Sequence, residues 1–443
     1  MDLILERSHE LKLALIDFVL DAEDELATAL ETYAAEQSRR GSGDSKQQDF
    51  IIDSFAIEGK VGDKTPLDLF AESHPDLPET ERNLIRSWHR SFIGLFAVVQ
   101  ILPDGFELVN WLTDKHYIVK PTDTLTIQEM SRFKVGEIFL TRIAPLTDTE
   151  WMFFSSHTLL GKLGKPKLAV AIGNFKDNYK NNLYGDAPDL LEEAWLSVEK
   201  YHQEFVDFFG SDEITLPGYQ LNKKIVEFQE LMTEKRLAEA GIDTSKSLAE
   251  AASAAGIDEE EIKAAAEELG ADSKVVSQVF NNKSANNKMV MPKVDLPAEL
   301  KKAEQVTALS HPRWGQMFLP TYGKMKVILE ADVQNIEGSE KLIRYFLEDK
   351  SINAFVWYRL AEQYPTQLEK VLQTYLQRPD FRLSSDLKPL LQEFNKPIEP
   401  ELPEIASVPI HLHNLFQEAL ADVNKSKSKD KGKKPTAKGF QRS

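Results

Sequence analysis

Leu11, Leu15, Phe18, Val19, Ala22, Leu26, Leu30 and Tyr33 recur at steps of three and four, which lays one apolar stripe along a helix from about residue 5 to 36. "RRGSGDSK" ends it. Further helices are predicted at 47–57 and 79–90, the latter introduced by Pro78, whose fixed φ suits a helix start. From Ser91 the period shortens. "FIGLFAVVQI", "GFELVNWL", "HYIVK", "EIFLTRIAP" and "EWMFFSS" read as five strands, with "LPDG", "LTDK" and "LTDT" supplying turns. Strands this short and this close in sequence suit a small curled sheet that closes into a barrel, and "KLAVAIGNF" (167–175) reads as a sixth.

Helical patterning resumes in "DLLEEAWLSVEKYHQEFVDFF" (189–209) and "LNKKIVEFQELMTEKRLAEA" (221–240). In 247–280, Asp258 and Asp272 sit where N-caps belong and Gly256 and Gly270 where helices stop, predicting three short helices. A polar, proline-bearing linker follows. Residues 298–395 then read as helical throughout, with uneven spacing and no fixed repeat, so an irregular bundle is expected. "KPIEPELPEIASVP" is a stiff connector, and "HLHNLFQEALADV" (411–423) is one more amphipathic helix.

The expected class is α+β and mostly helical, with a small five-stranded antiparallel, barrel-like β unit inside an N-terminal helical domain and a C-terminal all-α bundle. Its segments are 1–243, with the β unit at about 91–157, an acidic three-helix insert at 246–282, a linker at 283–297, a C-terminal helical domain at 298–424 and a disordered basic tail at 425–443.

Composition narrows the function more than the fold. A chain of 443 residues is longer than one core usually serves. A net charge of −18 turns most of its surface away from phosphate and anionic lipid, and the absence of cysteine removes disulfides, thiolate nucleophiles and most structural zinc sites. The N-terminus lacks the basic and apolar regions of a secretory signal, and the longest apolar run, Phe92 to Leu102, is too short to span a bilayer. A cytoplasmic protein is expected.

Candidate chemistry is sparse. No glycine loop of dinucleotide or Walker type occurs. "GKLGKPK" (161–167) holds a GxxG core with Lys162, Lys165 and Lys167, the sort of loop that clamps backbone phosphates between two helices, although here it follows a strand; a basic surface turn accounts for the same residues. His411, His413 and Glu418 offer metal-ligand types, but positions two apart on a helix diverge, and a structural histidine at the helix start is the plainer reading. His157 beside Ser156 is sequence adjacency without triad geometry. The 71 carboxylates isolate no acid and base, so neither a catalytic residue nor a cofactor is assigned.

Segment 247–280 resembles the opening of a helix-turn-helix unit. With Lys246 included, its three lysines face eight acids, and the repulsion makes DNA an unlikely partner. The hairpin "VGEIFLTRI" looks like small RNA-binding barrels, with Arg142 joining the three loop lysines in a possible nucleic-acid face; Trp111, Trp151, Phe153 and Phe154 are expected to fill the core rather than stack on bases. The tail contrasts with the body. Lys425, Lys427, Lys429, Lys431, Lys433, Lys434, Lys438 and Arg442 against Asp430 give it a net of +7, with Phe440 as one apolar anchor. Such a thread suits RNA, an anionic membrane surface or an acidic partner.

"HPRWGQMFLPTY" (311–322) and "ELPEIASVPIHLHNLFQEALADV" (401–423) resemble segments of a family of long cyanobacterial proteins of unassigned function. That resemblance implies a setting only, the cytoplasm or the cytoplasmic face of internal membranes, and it assigns no activity, ligand or catalytic residue. The expected role is a non-enzymatic adaptor that docks a protein partner through helical surfaces and uses the tail for anionic partners. The alternative is an RNA- or ribosome-associated protein that uses the β unit and tail.

Overall fold

In the computed structural model, which describes residues 3–38, 45–122, 131–239, 289–331 and 338–431, all five expected strands are present and one of them closes the sheet. β1 (Phe92–Leu102) pairs through Phe92–Ala97 with β4 (Ile138–Pro145), and through Phe96–Leu102 with β2 (Gly105–Asn110). A bulge between Val98 and Gln100 bends it between the two seams. β2 continues to β3 (His116–Lys120), β3 lies parallel to β5 (Glu150–Phe153), and β5 returns to β4. The order β1-β2-β3-β5-β4-β1 is a five-stranded Greek-key barrel of the kind that includes oligonucleotide-binding folds. Its β3–β5 pair makes the sheet mixed where an antiparallel one was expected.

The barrel is filled with aromatic rings. Phe92, Phe96, Phe106, Phe133, Phe139 and Phe153 pack inside it with Val98, Leu108 and Val119, and Phe133 stacks on Phe139 at 5.2 Å. Two helical layers cover the outside. α1 (Leu3–Leu20), α2 (Asp24–Ser38), α3 (Ser45–Glu58), α4 (Pro66–Ser73), α5 (Glu79–Ser87) and the 3-10 turn Trp88–Arg90 after it bury Leu11, Leu15, Phe55, Phe70 and Trp88 against Ala144, Met152 and Phe154. α6 (Lys165–Asn178) buries Leu168, Ile172 and Phe175 against Ile93, Leu95 and Ile138.

α6 replaces the sixth strand expected at 167–175. Pro166 lies in its first turn, and its apolar positions are spaced by four and three, so a helix buries them on one face where a strand would split them. The sixth strand is instead β6 (Thr158–Gly161), which pairs with β4. The helix expected over 5–36 is two helices, broken at 21–23. Asp21, Glu23, Asp24 and Glu25 crowd negative charge at the C-terminal end of α1, where the macrodipole disfavours it, and at the start of α2, where it is favourable.

Compact units divide the chain at other places than the sequence segmentation. One comprises Met1–Leu191 with Pro409–Ser443, the other Glu192–Val408, the boundary falling in the first turn of α7 (Pro188–Phe209). The second unit is not helical throughout. β7 (Glu213–Leu216), β8 (Val306–His311) and β9 (Gly315–Leu319) form an antiparallel sheet with β8 in the middle. A central strand is buried on both faces, so "VTALS" shows no alternation and its period is ambiguous. The His311 ring accepts the backbone N–H groups of Arg313 and Trp314, and Gly315 takes φ +71°, which turns β8 into β9.

α8 (Gly218–Glu239), α9 (Ala298–Lys302), α10 (Tyr322–Glu330), α11 (Ser339–Glu348), α12 (Ala354–Gln363), α13 (Pro365–Leu376) and α14 (Leu383–Glu393) complete that unit, with Phe346, Trp357 and Leu360 at the centre of one core. The last helix, α15 (Ile410–Lys431), belongs to the first unit and packs Leu412 and Leu415 with α6. It continues through Lys425, Lys427, Lys429 and Lys431, which the sequence reading had assigned to a disordered tail. Lysine is a good helix former, favourable near a helix C-terminus, and no breaker occurs before Gly432. The helical trio expected at 246–282 and positions 432–443 of the tail lie outside the described residues.

Candidate functional site: the basic end of the barrel

Two basic segments far apart in sequence meet at one end of the first unit. Gly161, at φ +70°, ends β6, and Gly164 starts α6, so "GKLGKPK" is a strand-to-helix turn that exposes Lys162, Lys165 and Lys167. Lys165 Nζ lies 3.0 Å from Glu418 of α15. Among the described side chains of α15, Ala419 is the last buried one, one residue beyond that contact. The first residue of α6 therefore meets the last packed turn of α15, which sets the two helices antiparallel. The remaining turns of α15, carrying positions 425–431, project past the start of α6 by up to about 18 Å at 1.5 Å per residue.

The neighbouring turn adds more charge. Gly136 N donates to Val98 O, which fixes the 134–137 turn against β1, and the glycine's Cβ position lies 3.8 Å from Lys162 Cε. Arg132 and Lys134 are exposed there. Among the described residues none of Arg132, Lys134, Lys162 and Lys167 has a carboxylate partner; Glu137 accepts the Lys134 backbone N–H, and Glu418 is held by Lys165. Aliphatic side chains are interleaved with these cations. Val99, Ile101, Val135, Leu159, Leu160, Val170 and Leu420 are all exposed, Val170 by 63% and Leu159 by 49%.

Arg142 does not belong to this face. It is 1% exposed, its Nη2 lies 2.9 Å from Glu58 Oε2, and Nη1 donates to Ser91 Oγ at 3.3 Å. The assignment to a nucleic-acid face is corrected: on β4 the arginine points into the seam beneath the helical layer. Glu58 also accepts from the Tyr33 hydroxyl at 2.9 Å, and burial pushes that phenol's pKa far up. Nearby, Lys12 Nζ pairs with Asp53 at 3.1 Å over the Phe154 ring, and desolvation still raises the Asp53 pKa.

The β2–β3 outer face, where barrels of this kind take oligonucleotides, is electrostatically closed. His116 meets Glu107 at 2.9 Å, and Lys120 meets Glu150 at 3.0 Å and Asp104 at 3.4 Å. Trp151 packs inward against Phe92 and Tyr117, Phe153 is in the barrel, and Phe154 lies against Trp88. None of the exposed large apolar side chains described in this unit is aromatic.

The histidines of "HLH" have separate tasks. His411 Nε2 bonds the Trp111 carbonyl at 2.8 Å, and burial lowers the His413 pKa. His157 packs edge-on against Phe133. In the second unit His202 and His311 stand with ring centroids 6.5 Å apart, both held below the ordinary histidine pKa, chiefly by burial. Asp212, the nearest acid acting on both, is engaged bidentately by Arg359 at 2.6 and 2.9 Å. A cleft of about 220 Å³ between α7 and α8 is lined by Phe208, Phe228, Leu231 and Met232 with Glu204, Asp207 and Lys235. It is smaller than the roughly 300–1,000 Å³ usual for a small-molecule site.

Arg132, Lys134 and the aliphatic residues went unread as a site. They are scattered over more than 300 positions, and the Gly136–Val98 bond, the β4–β6 pairing and the α6–α15 contact gather them. No family model, curated relative or solved structure matches this chain.

Proposed function

We propose that this protein is a non-enzymatic interaction protein that docks an anionic macromolecular surface on the basic end of its barrel unit. The observation that carries this reading is the gathering of five exposed cations, Arg132, Lys134, Lys162, Lys165 and Lys167, beside the lysine-bearing end of α15, in a chain of net charge −18. On an acidic molecule such a patch orients approach: long-range repulsion turns the rest of the surface away, and the patch is what meets the partner. The test is binding of the intact chain to heparin, a generic polyanion, across a salt series. A reversal of charge at Lys162 and Lys167 should flatten the salt dependence and weaken binding several-fold. Binding that is insensitive to salt and to that reversal would refute the reading.

A protein partner is a second reading, supported by the α7–α8 cleft. Its aromatic walls and two carboxylates, Glu204 and Asp207, against the single cation Lys235, suit an apolar segment bearing a lysine or arginine. Phe208→Ala should abolish capture of such a partner in a pull-down while leaving polyanion binding intact.

A further inference from the structure

We infer that the anionic surface is a lipid bilayer, contacted peripherally. This rests on the reading above and narrows it. RNA and membrane both answer to lysine, but they differ in what must lie between the lysines. Single-stranded RNA needs aromatic or guanidinium planes on which bases stack, and each stacked base adds appreciably to affinity. A bilayer interface needs aliphatic side chains that enter the acyl boundary while cations meet the headgroups.

This end of the molecule offers the second set. Val99 and Ile101 end β1, Val135 tops the adjoining turn, Leu159 and Leu160 lie on β6, Val170 stands on α6 three residues from Lys167, and Leu420 is on α15. The aromatics of the barrel are spent inside it, and lysine outnumbers arginine four to one among the five cations. No helix among the described residues is long and apolar enough to cross a membrane, so the contact is one of lying on the surface. The edge position of β6, hydrogen-bonded on one side by β4, places Leu159 and Leu160 at the rim where a flat surface can reach them.

The experiment is co-sedimentation of the full chain with vesicles of equal parts phosphatidylglycerol and phosphatidylcholine, with phosphatidylcholine vesicles alone, and fluorescence anisotropy on polyuridine. Three variants enter each assay: Lys162→Glu with Lys167→Glu, Leu159→Ser with Val170→Ser, and Leu13→Ser, an equally exposed leucine on α1. All change exposed side chains, and an unchanged thermal midpoint certifies folding. The expected result is sedimentation with the anionic vesicles only, weakened about five-fold per lysine reversed, roughly ten-fold by the Leu159/Val170 pair, and not at all by Leu13→Ser. Vesicle binding that survives the Leu159/Val170 change would overturn the insertion argument. Tighter binding to polyuridine than to vesicles would overturn the bilayer while leaving the anionic reading standing, and binding to neither would end both. A wild-type mass twice that of the Leu159→Ser/Val170→Ser variant in light scattering would give β6 to a second copy instead and overturn the inference.

Discussion

Arg142 and Lys162 stand on hydrogen-bonded neighbours, β4 and the end of β6, and the fold treats the two cations in opposite ways. Arg142 is sealed under α3 with Glu58 as its partner; Lys162 faces water with none among the described residues. A buried cation without its partner is severely unfavourable, whereas an exposed one costs almost nothing to keep. Charge in the seam is therefore structural, and charge at the rim is free to serve a partner. The same contrast separates two carboxylates. Asp53 has one lysine and an apolar roof, and desolvation wins, raising its pKa. Asp212 has a bidentate arginine, and that bond wins, lowering its pKa.

The comparison breaks most sharply at Arg142. Arg142→Ala should cost about 3 kcal/mol, because it leaves Glu58 with only the Tyr33 hydroxyl, strips the Ser91 hydroxyl of its donor and opens a cavity beneath α3. Urea unfolding measures it, and a loss under about 1 kcal/mol would mean that the seam is solvated. Next in size are the carboxylates, whose pH dependences have opposite signs. A carboxylate with a depressed folded pKa stabilises above its unfolded pKa and loses that as pH falls, so Asp212→Asn should be less stable than the wild type at neutrality, by about 1 kcal/mol at most because water screens this partly exposed pair, with the gap closing below about pH 4. Asp53, with a raised pKa, stabilises below the unfolded pKa and loses that as pH rises. Asp53→Asn should therefore gain on the wild type between about pH 4 and neutrality. Unfolding curves at several pH values would show parallel slopes if the environments were alike.

Smaller still is the effect of His413. Its lowered pKa means that the unfolded chain binds its proton first, so stability falls as pH drops below about 6.5, and His413→Phe should flatten part of that fall in a thermal-shift series. At the rim the stability change should be smallest of all. Lys162→Glu or Lys167→Glu should move stability by no more than about 0.5 kcal/mol while weakening polyanion binding, and a large loss would place those lysines in the structure's own charge network.

How much was legible follows from the range of each interaction. Strand-forming residues bounded by turn signals sufficed for the five barrel strands, although β1 and β4 are buried on both faces over most of their length, and amphipathic period sufficed for most of the helices, because each signal lies within a short window. Such signals failed for "VTALS", buried on both faces, and for 167–175, where a mixed apolar run fits either period until the neighbouring core chooses. Of the candidate site, Lys162, Lys165, Lys167 and the basic tail were visible as charge, and their junction was not. Exposure of Leu159, Leu160 and Val170 carries no mark in sequence, since the same residues are equally at home in a core.

The sequence by itself determined the α+β class, the absence of thiol chemistry, the acidic body and the lysine run at its end, because those are matters of composition and of contacts within a few residues. Tertiary structure alone decided which charges are buried, that the barrel closes through β1, and that α15 returns to α6, where Glu418 meets a lysine some 250 residues earlier. Burial and long-range pairing depend on which surfaces the rest of the chain happens to cover, and no local window contains that information.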